Sequence, residues 1–130
     1  MTDAAHPEPK ATIPDAICAG LRQATTLLPV AATITYTLRG LTSLRASRER
    51  PPTPILSMST RIETARRLTL AWGVYSVQVR EVSDVDEMAA YACETAVKEG
   101  FAKQGDIVAI TAGTPFGVSG STNMLKIMHV

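Results

Sequence analysis

Apolar residues in this chain recur with two alternating periodicities, which predict strands and helices in turn. Residues 1–12 are polar and contain two prolines, so they predict an N-terminal arm ahead of a domain that covers residues 13–130. In chain order the pattern predicts helix 14–28, strand 30–37, helix 41–47, strand 54–58, helix 60–71, strand 74–79, helix 83–100 with its caps, strand 107–111 and strand 123–130.

The predicted strands alternate with helices, which favours a three-layer α/β/α sandwich with right-handed crossovers. Residues 30–37 are apolar on both faces, as in a central parallel strand. Only a glycine-rich loop, 113–120, joins the last two strands, and it is short for a helical crossover. The last strand is therefore predicted to be antiparallel at an edge of the sheet.

Local sequence signals predict how the helices begin and how one strand packs. Thr60 and Glu63 have the spacing of a capping box, and Ser83 with the acids that follow it favours the start of the fourth helix. Trp72 and Tyr75 are predicted to anchor the third helix on its strand.

Composition narrows the class of protein. With 130 residues, 45% of them hydrophobic, the chain fits one core that needs no disulfide or metal. Cys18 and Cys93 lie far apart in helical patterns and predict reduced thiols. A net charge of +1 argues against general binding of nucleic acid, and no apolar run is long enough for a signal peptide or a membrane span, so a cytoplasmic location is expected.

The charges are unevenly distributed. Residues 39–67 contain seven arginines against two glutamates, whereas residues 81–106 contain seven acids against two lysines. The basic half suits a small anion or an acidic partner surface, and solvated helix faces with ion pairs would give the same pattern.

Two loops are candidates for a binding site, because ligands of open α/β sheets gather at the carboxyl ends of the strands. The first, residues 37–43, leads from the first strand into a helix and combines hydroxyls, a glycine and an arginine, which suits a phosphate monoester. An ordinary helix start with a solvated arginine is the alternative. The candidate residues in this loop are Thr37, Leu38, Arg39, Gly40, Thr42 and Ser43.

The second loop follows the fourth strand and could close over an anion bound at the first. It lacks the lysine of a P-loop and the pattern of a hydrolase nucleophile elbow, so a mobile connection is the alternative. Its candidate residues are Gly117, Ser119 and Gly120.

No catalytic or metal-binding constellation is predicted. His6 and His129 lack the spacing of metal ligands. The acids Asp84, Asp86 and Glu87 have the position of helix-start charges rather than of an acid–base pair.

Short segments spread over the whole chain together resemble the C-terminal domain of pyruvate kinase, in its bacterial form. The segments are Asp15-Ala16-Ile17, Thr37-x-x-Gly40-x-Thr42, Arg50-Pro51 with Pro54-Ile55-Leu56, Thr64-Ala65-Arg66-Arg67, Trp72-Gly73-Val74-Tyr75, Gly105-Asp106, Thr111-Ala112-Gly113 and Gly120-Ser121-Thr122-Asn123. The resemblance implies five strands in the order third, second, first, fourth, fifth.

The resemblance also implies a role for the two loops. They would form an allosteric pocket for a phosphorylated sugar or AMP, and the last strand would lie at a contact between copies in a homo-oligomer. Two positions depart from the family pattern. Arg39 replaces a usual serine, and Val85 stands where fructose-bisphosphate-activated eukaryotic members carry a tryptophan before an effector-binding arginine.

The catalytic machinery of pyruvate kinase is in a (β/α)8 barrel of about 250 residues, which this chain is too short to contain. The resemblance therefore implies a chain that is not catalytic alone, next to a parent barrel that uses magnesium and potassium. A free-standing sensor of phosphorylated metabolites without kinase activity is the alternative. A hydrolase or transferase built on the glycine loop would lack a nucleophile and base.

Overall fold

A computed structural model describes residues 12–37, 41–48, 51–71, 73–113 and 122–130. Helices and strands alternate up to β4, as the sequence predicts, and no bound differs from the prediction by more than three residues. The elements are α1 Ile13–Leu27, β1 Val30–Thr37, α2 Leu41–Arg48, β2 Ile55–Ser59, α3 Ile62–Leu68, β3 Val74–Gln78, α4 Val85–Lys98, β4 Ile107–Gly113 and β5 Thr122–His129. The predicted arm, apart from Thr12, lies outside the described residues.

The strands form one sheet in the order β3-β2-β1-β4-β5. Pairing is parallel between β3, β2, β1 and β4, and β5 is antiparallel to β4. The predicted sheet order, the central place of β1 and the reversed edge strand are therefore confirmed.

The helix start agrees with the sequence signals at α4 and disagrees with them at α3. Asp84 caps α4 by accepting a hydrogen bond from the Glu87 backbone N–H at 2.7 Å. The predicted capping box of Thr60 and Glu63 is wrong, because the N-cap residue of α3 is Arg61 and its side chain makes no capping bond. Strand β2 continues to Ser59, whose hydroxyl accepts from the Arg61 N–H at 3.2 Å and occupies the turn.

The two faces of the sheet differ in polarity. The face under α4 carries the main apolar core, and it is formed by Ile34, Tyr36, Leu56, Met58, Val82, Met88, Ala89, Ala92, Ala96, Val108, Ile110 and Ala112. The face under α1 and α2 has a smaller apolar cluster of Leu21, Ala46, Ile55 and Ala109. Much of the second face is occupied by buried threonine and serine side chains instead.

Tyr75 lies on the opposite face from the one predicted. It pairs in register with Leu56, a residue of the main core, and its ring centroid is 5.2 Å from that of Phe101. It therefore packs on the side of α4 and not under α3, because strand side chains alternate between faces and the neighbouring Val74 takes the other one. Trp72, the second predicted anchor, lies outside the described residues.

Candidate functional site

The candidate site lies at the edge where β1 and β4 both end. Because these strands are parallel, their last residues, Thr37 and Gly113, lie next to each other at the carboxyl end of the sheet. Helix α2 begins at Leu41 near this end of the sheet. Strand β5 also begins here, at Thr122, which pairs with Gly113. The residues that flank the two predicted loops are therefore brought together.

Thr42, near the start of α2, directly contacts Thr122, the first residue of β5. Its Oγ1 lies 2.5 Å from Oγ1 of Thr122, and both residues are almost completely buried. One hydroxyl donates to the other, which leaves the acceptor's own proton available for another partner. The start of α2 is thereby linked to the start of β5.

Ser43 lies on the inner side of the first turn of α2, which faces the sheet. It is fully buried, and its Oγ is 2.7 Å from Oγ1 of Thr35 and 2.7 Å from Oγ of Ser57. Its hydroxyl thus connects α2 to strands β1 and β2. In this arrangement the Ser43 hydroxyl faces the sheet and is not at the protein surface.

The other predicted site residues fall into two groups. Thr37 is the last residue of β1 and is 5% exposed. The remaining candidates lie outside the described residues; they are Leu38, Arg39, Gly40, Gly117, Ser119 and Gly120.

Sequence reasoning missed the supporting hydroxyls Thr35, Ser57 and Thr122. A weak signal was present for the first, because Thr33, Thr35 and Thr37 alternate along β1 and so share one face. Their partners could not be found this way, since the contacts depend on how separate elements pack.

Two tyrosines hold the connection between β3 and α4 at the carboxyl edge. The Tyr36 hydroxyl accepts from the Val82 N–H at 3.2 Å and donates to the Arg80 carbonyl at 3.4 Å. The Tyr91 hydroxyl accepts from the Arg80 N–H at 3.3 Å, and the Arg80 guanidinium lies 4.3 Å from the centroid of the Tyr91 ring. Arg80 also pairs with Glu87 at 3.4 Å.

Replacing Tyr36 by phenylalanine should lower the free energy of unfolding by about 1 to 3 kcal/mol, because the buried Val82 N–H loses its acceptor. Burial raises the pKa of the Tyr36 phenol above its ordinary value of 10.0. The unfolded chain then loses this proton first, so the wild-type protein should lose stability as pH rises above 10. Urea unfolding at pH 7 and at several values above 10 measures both effects.

Tyr75→Phe is the matched control for Tyr36→Phe, since Tyr75 is 49% exposed. It should unfold within about 0.5 kcal/mol of wild type. Tyr36→Phe should show a shallower loss of stability above pH 10 than wild type does. Equal slopes in the two proteins would contradict the assignment of this loss to Tyr36.

The described residues offer no metal site. Among them, no group of three or more His, Cys, Asp or Glu side chains is placed to hold a metal ion. Nδ1 of His129 lies 3.2 Å from the Gly105 carbonyl, and His6 is outside the described ranges. Asp86 and Glu87 lie in the first turn of α4, as their sequence position predicts.

The remaining features concern thiols and membranes. Cys18 and Cys93 are both thiols rather than disulfide partners, as predicted. Burial raises the pKa of the Cys93 thiol, while the nearby Lys126 acts in the opposite direction. In the described part of the chain, the helices are too short or too polar to cross a bilayer.

Comparison with known proteins identifies the family. Residues 15–128 match the family described as pyruvate kinase, alpha/beta domain. The chain is 44% identical over 130 residues to the pyruvate kinase of Methylorubrum extorquens, covering 100% of this chain and 27% of that protein. It is 42% identical over 123 residues to the pyruvate kinase of Geobacillus stearothermophilus, covering 95% and 21%.

A further relative is pyruvate kinase 2 of Synechocystis, which is 35% identical over 118 residues, or 91% of this chain and 20% of that protein. The chain thus spans about a fifth to a quarter of the length of these relatives. The match over residues 15–128, together with the sheet order and the reversed edge strand, shows that the chain belongs to the pyruvate kinase alpha/beta domain family.

Proposed function

We propose that this chain is the regulatory and subunit-contact domain of a larger pyruvate kinase, and that it binds a phosphorylated metabolite at the start of α2. The parent enzyme would transfer the phosphoryl group of phosphoenolpyruvate to ADP, using magnesium and potassium bound by its catalytic barrel. The relatives, each named a pyruvate kinase and each about four to five times longer than this chain, support such a parent.

The observation that carries the binding proposal is the position of α2. Its first turn lies near the carboxyl end of the central strand β1, which is where open α/β sheets bind their ligands. The first N–H groups of a helix have no intrahelical acceptor and attract anions. Thr37 and Thr42 add hydroxyl donors at the same place.

The hydroxyl pair of Thr42 and Thr122 supports the same proposal. If Thr122 donates to Thr42, the Thr42 proton is left for a phosphate oxygen, and the two bonds strengthen each other. Arg39, two residues before the first residue of α2 in the sequence, would supply the positive charge that a dianionic phosphate requires. Gly117, Ser119 and Gly120 are proposed as further residues that bind the ligand.

A thermal-shift panel tests the proposal with fructose 1,6-bisphosphate, glucose 6-phosphate, ribose 5-phosphate and AMP. A ligand at about 100 times its Kd adds ~2.7 kcal/mol, which should raise the Tm by on the order of 10 °C. Fructose and adenosine, which lack the phosphate, serve as controls. The binding proposal fails if no phosphorylated compound raises the Tm at millimolar concentration.

The subunit contact is proposed at β5, which pairs only with β4 among the described strands. Its sequence from Met124 to Val130 is mostly apolar with one charged side chain, Lys126, and Ile127 is 40% exposed. An exposed apolar edge strand is an aggregation liability unless another surface covers it.

Light scattering at high micromolar concentration should therefore report a dimer or larger oligomer for wild type. Ile127→Asp should shift the population to monomer by placing a charge in the contact. Leu70→Asp is the control, because Leu70 is 90% exposed next to β3, the opposite edge of the sheet. A strictly monomeric wild-type protein would refute the contact at β5.

A further inference from the structure

A row of hydroxyl side chains crosses the sheet on the face that α2 covers. Thr111, Thr35, Ser57 and Ser76 are register partners on the four adjacent strands β4, β1, β2 and β3. Their neighbours on the other face, such as Ile34 and Leu56, belong to the main apolar core. Helix α2 therefore rests partly on a polar layer, whereas α4 packs on an apolar one.

Stability alone does not account for this polar layer. The hydroxyls at its two ends, Oγ1 of Thr111 and Oγ of Ser76, are buried and have no hydrogen-bond partner within the described part of the chain. A buried polar group without a partner destabilises a fold relative to an apolar group of the same shape. In the middle of the row, the hydroxyls of Thr35 and Ser57 are both hydrogen-bonded to Ser43.

Ser43 of α2 contacts the row. It bridges Thr35 and Ser57 at 2.7 Å each; its single O–H can donate to one of these hydroxyls at most, and its oxygen accepts from the other or from both. Ser43 is also the third residue of α2, and its backbone N–H therefore belongs to the first turn. The side chain and the anion-attracting backbone group are part of the same residue.

We propose that Ser43 is a positioning residue for the anion site, a role that rests on the proposed function above. Its two hydrogen bonds fix the distance and the rotation of the first turn of α2 relative to β1 and β2. Hydrogen bonds are directional, whereas an apolar contact constrains mainly the distance. The N–H groups of the turn are thereby held in the orientation that converges on a phosphate beside Thr37 and Thr42.

The test compares Ser43→Ala with a variant that breaks an equivalent bond elsewhere. Thr53→Ala removes the partner of Thr33, a buried hydroxyl pair of the same 2.7 Å length that does not involve α2. The Tm of each variant is measured by calorimetry. Affinity is measured by isothermal titration with AMP, fructose 1,6-bisphosphate and inorganic phosphate.

Both variants should lower the Tm, but only Ser43→Ala should weaken binding, by about three- to tenfold. Ser57→Ala lies in β2 and should weaken binding in the same way, which provides a second variant if Ser43→Ala does not fold. The double variant Ser43→Ala with Ser57→Ala should bind about as tightly as Ser43→Ala alone, because Ser43→Ala already removes the bond to Ser57.

The outcomes separate this inference from the proposed function. If wild type binds a phosphorylated probe and Ser43→Ala binds it equally tightly, Ser43 is a packing residue and the positioning role is wrong. The same holds if Thr53→Ala weakens binding as much as Ser43→Ala does. If wild type binds none of the three probes, the proposed anion site fails, and the role of Ser43 in it fails as well.

Discussion

Purified residues 1–130 are expected to transfer no phosphoryl group from phosphoenolpyruvate to ADP. Phosphoryl transfer depends on metal ions and on groups that position both substrates, with little other chemistry for the protein to perform. In the family that this chain resembles, these groups belong to a barrel of about 250 residues, and a chain of 130 residues is too short to contain it.

Coupled measurement of pyruvate formation, with magnesium and potassium present, tests this expectation. Full-length pyruvate kinase of Geobacillus stearothermophilus serves as the positive control, since this chain matches about a fifth of it. A cooperative thermal transition of the same sample shows that the chain is folded. Turnover above that of a mock-purified sample would overturn the assignment of a non-catalytic domain.

Much of the fold is predictable because burial leaves a periodic signal in the sequence. Strands 30–37 and 107–111 have no charged side chain on either face, which is typical of a strand inside a parallel sheet with helices on both sides. The reversed β5 follows from the length of a loop, which is also a local property. These features require no knowledge of which elements contact each other.

The two wrong predictions, the capping box of α3 and the face on which Tyr75 packs, concern features that depend on contacts between separate elements. The start of α3 moved to Arg61 because β2 extends to Ser59, and the strand length is set by pairing with β1 and β3. Tyr75 packs near Phe101 because of the register of β3, which propensity does not fix.

The sequence selects a position for the candidate site but does not indicate the contacts among its residues. The loop after the central strand is a general location for ligands, so Thr37 and Thr42 could be selected from the sequence. The pairing of Thr42 with Thr122 spans 80 residues of sequence, and no local pattern indicates it. For the same reason Ser43, a donor by its residue type, proves to point its hydroxyl at the sheet.

Substitution of Thr42 by alanine should weaken binding of a phosphorylated metabolite on the order of tenfold or more, since a hydrogen bond to a charged group contributes roughly 1.5 to 3 kcal/mol. Thr42→Ser is the matched control, because it keeps the hydroxyl that lies 2.5 Å from Thr122. It should bind within about threefold of wild type. Binding that survives both Thr37→Ala and Thr42→Ala unchanged would place the ligand elsewhere.

Arg39→Ala distinguishes a residue that contacts phosphate from a solvated one. An arginine paired with a dianion contributes an attraction that salt screens, so the affinity lost in the variant should be larger at low ionic strength than at high. Titrations of AMP and fructose 1,6-bisphosphate at about 20 mM and 300 mM salt span Debye lengths on either side of 10 Å. Arg67→Ala, an exposed arginine of α3 between β2 and β3, is the control and should leave both affinities unchanged. If Arg39→Ala binds as wild type does at both salt concentrations, the charge partner of the phosphate is not Arg39, and the hydroxyl and N–H donors of the first turn would have to hold the anion without it.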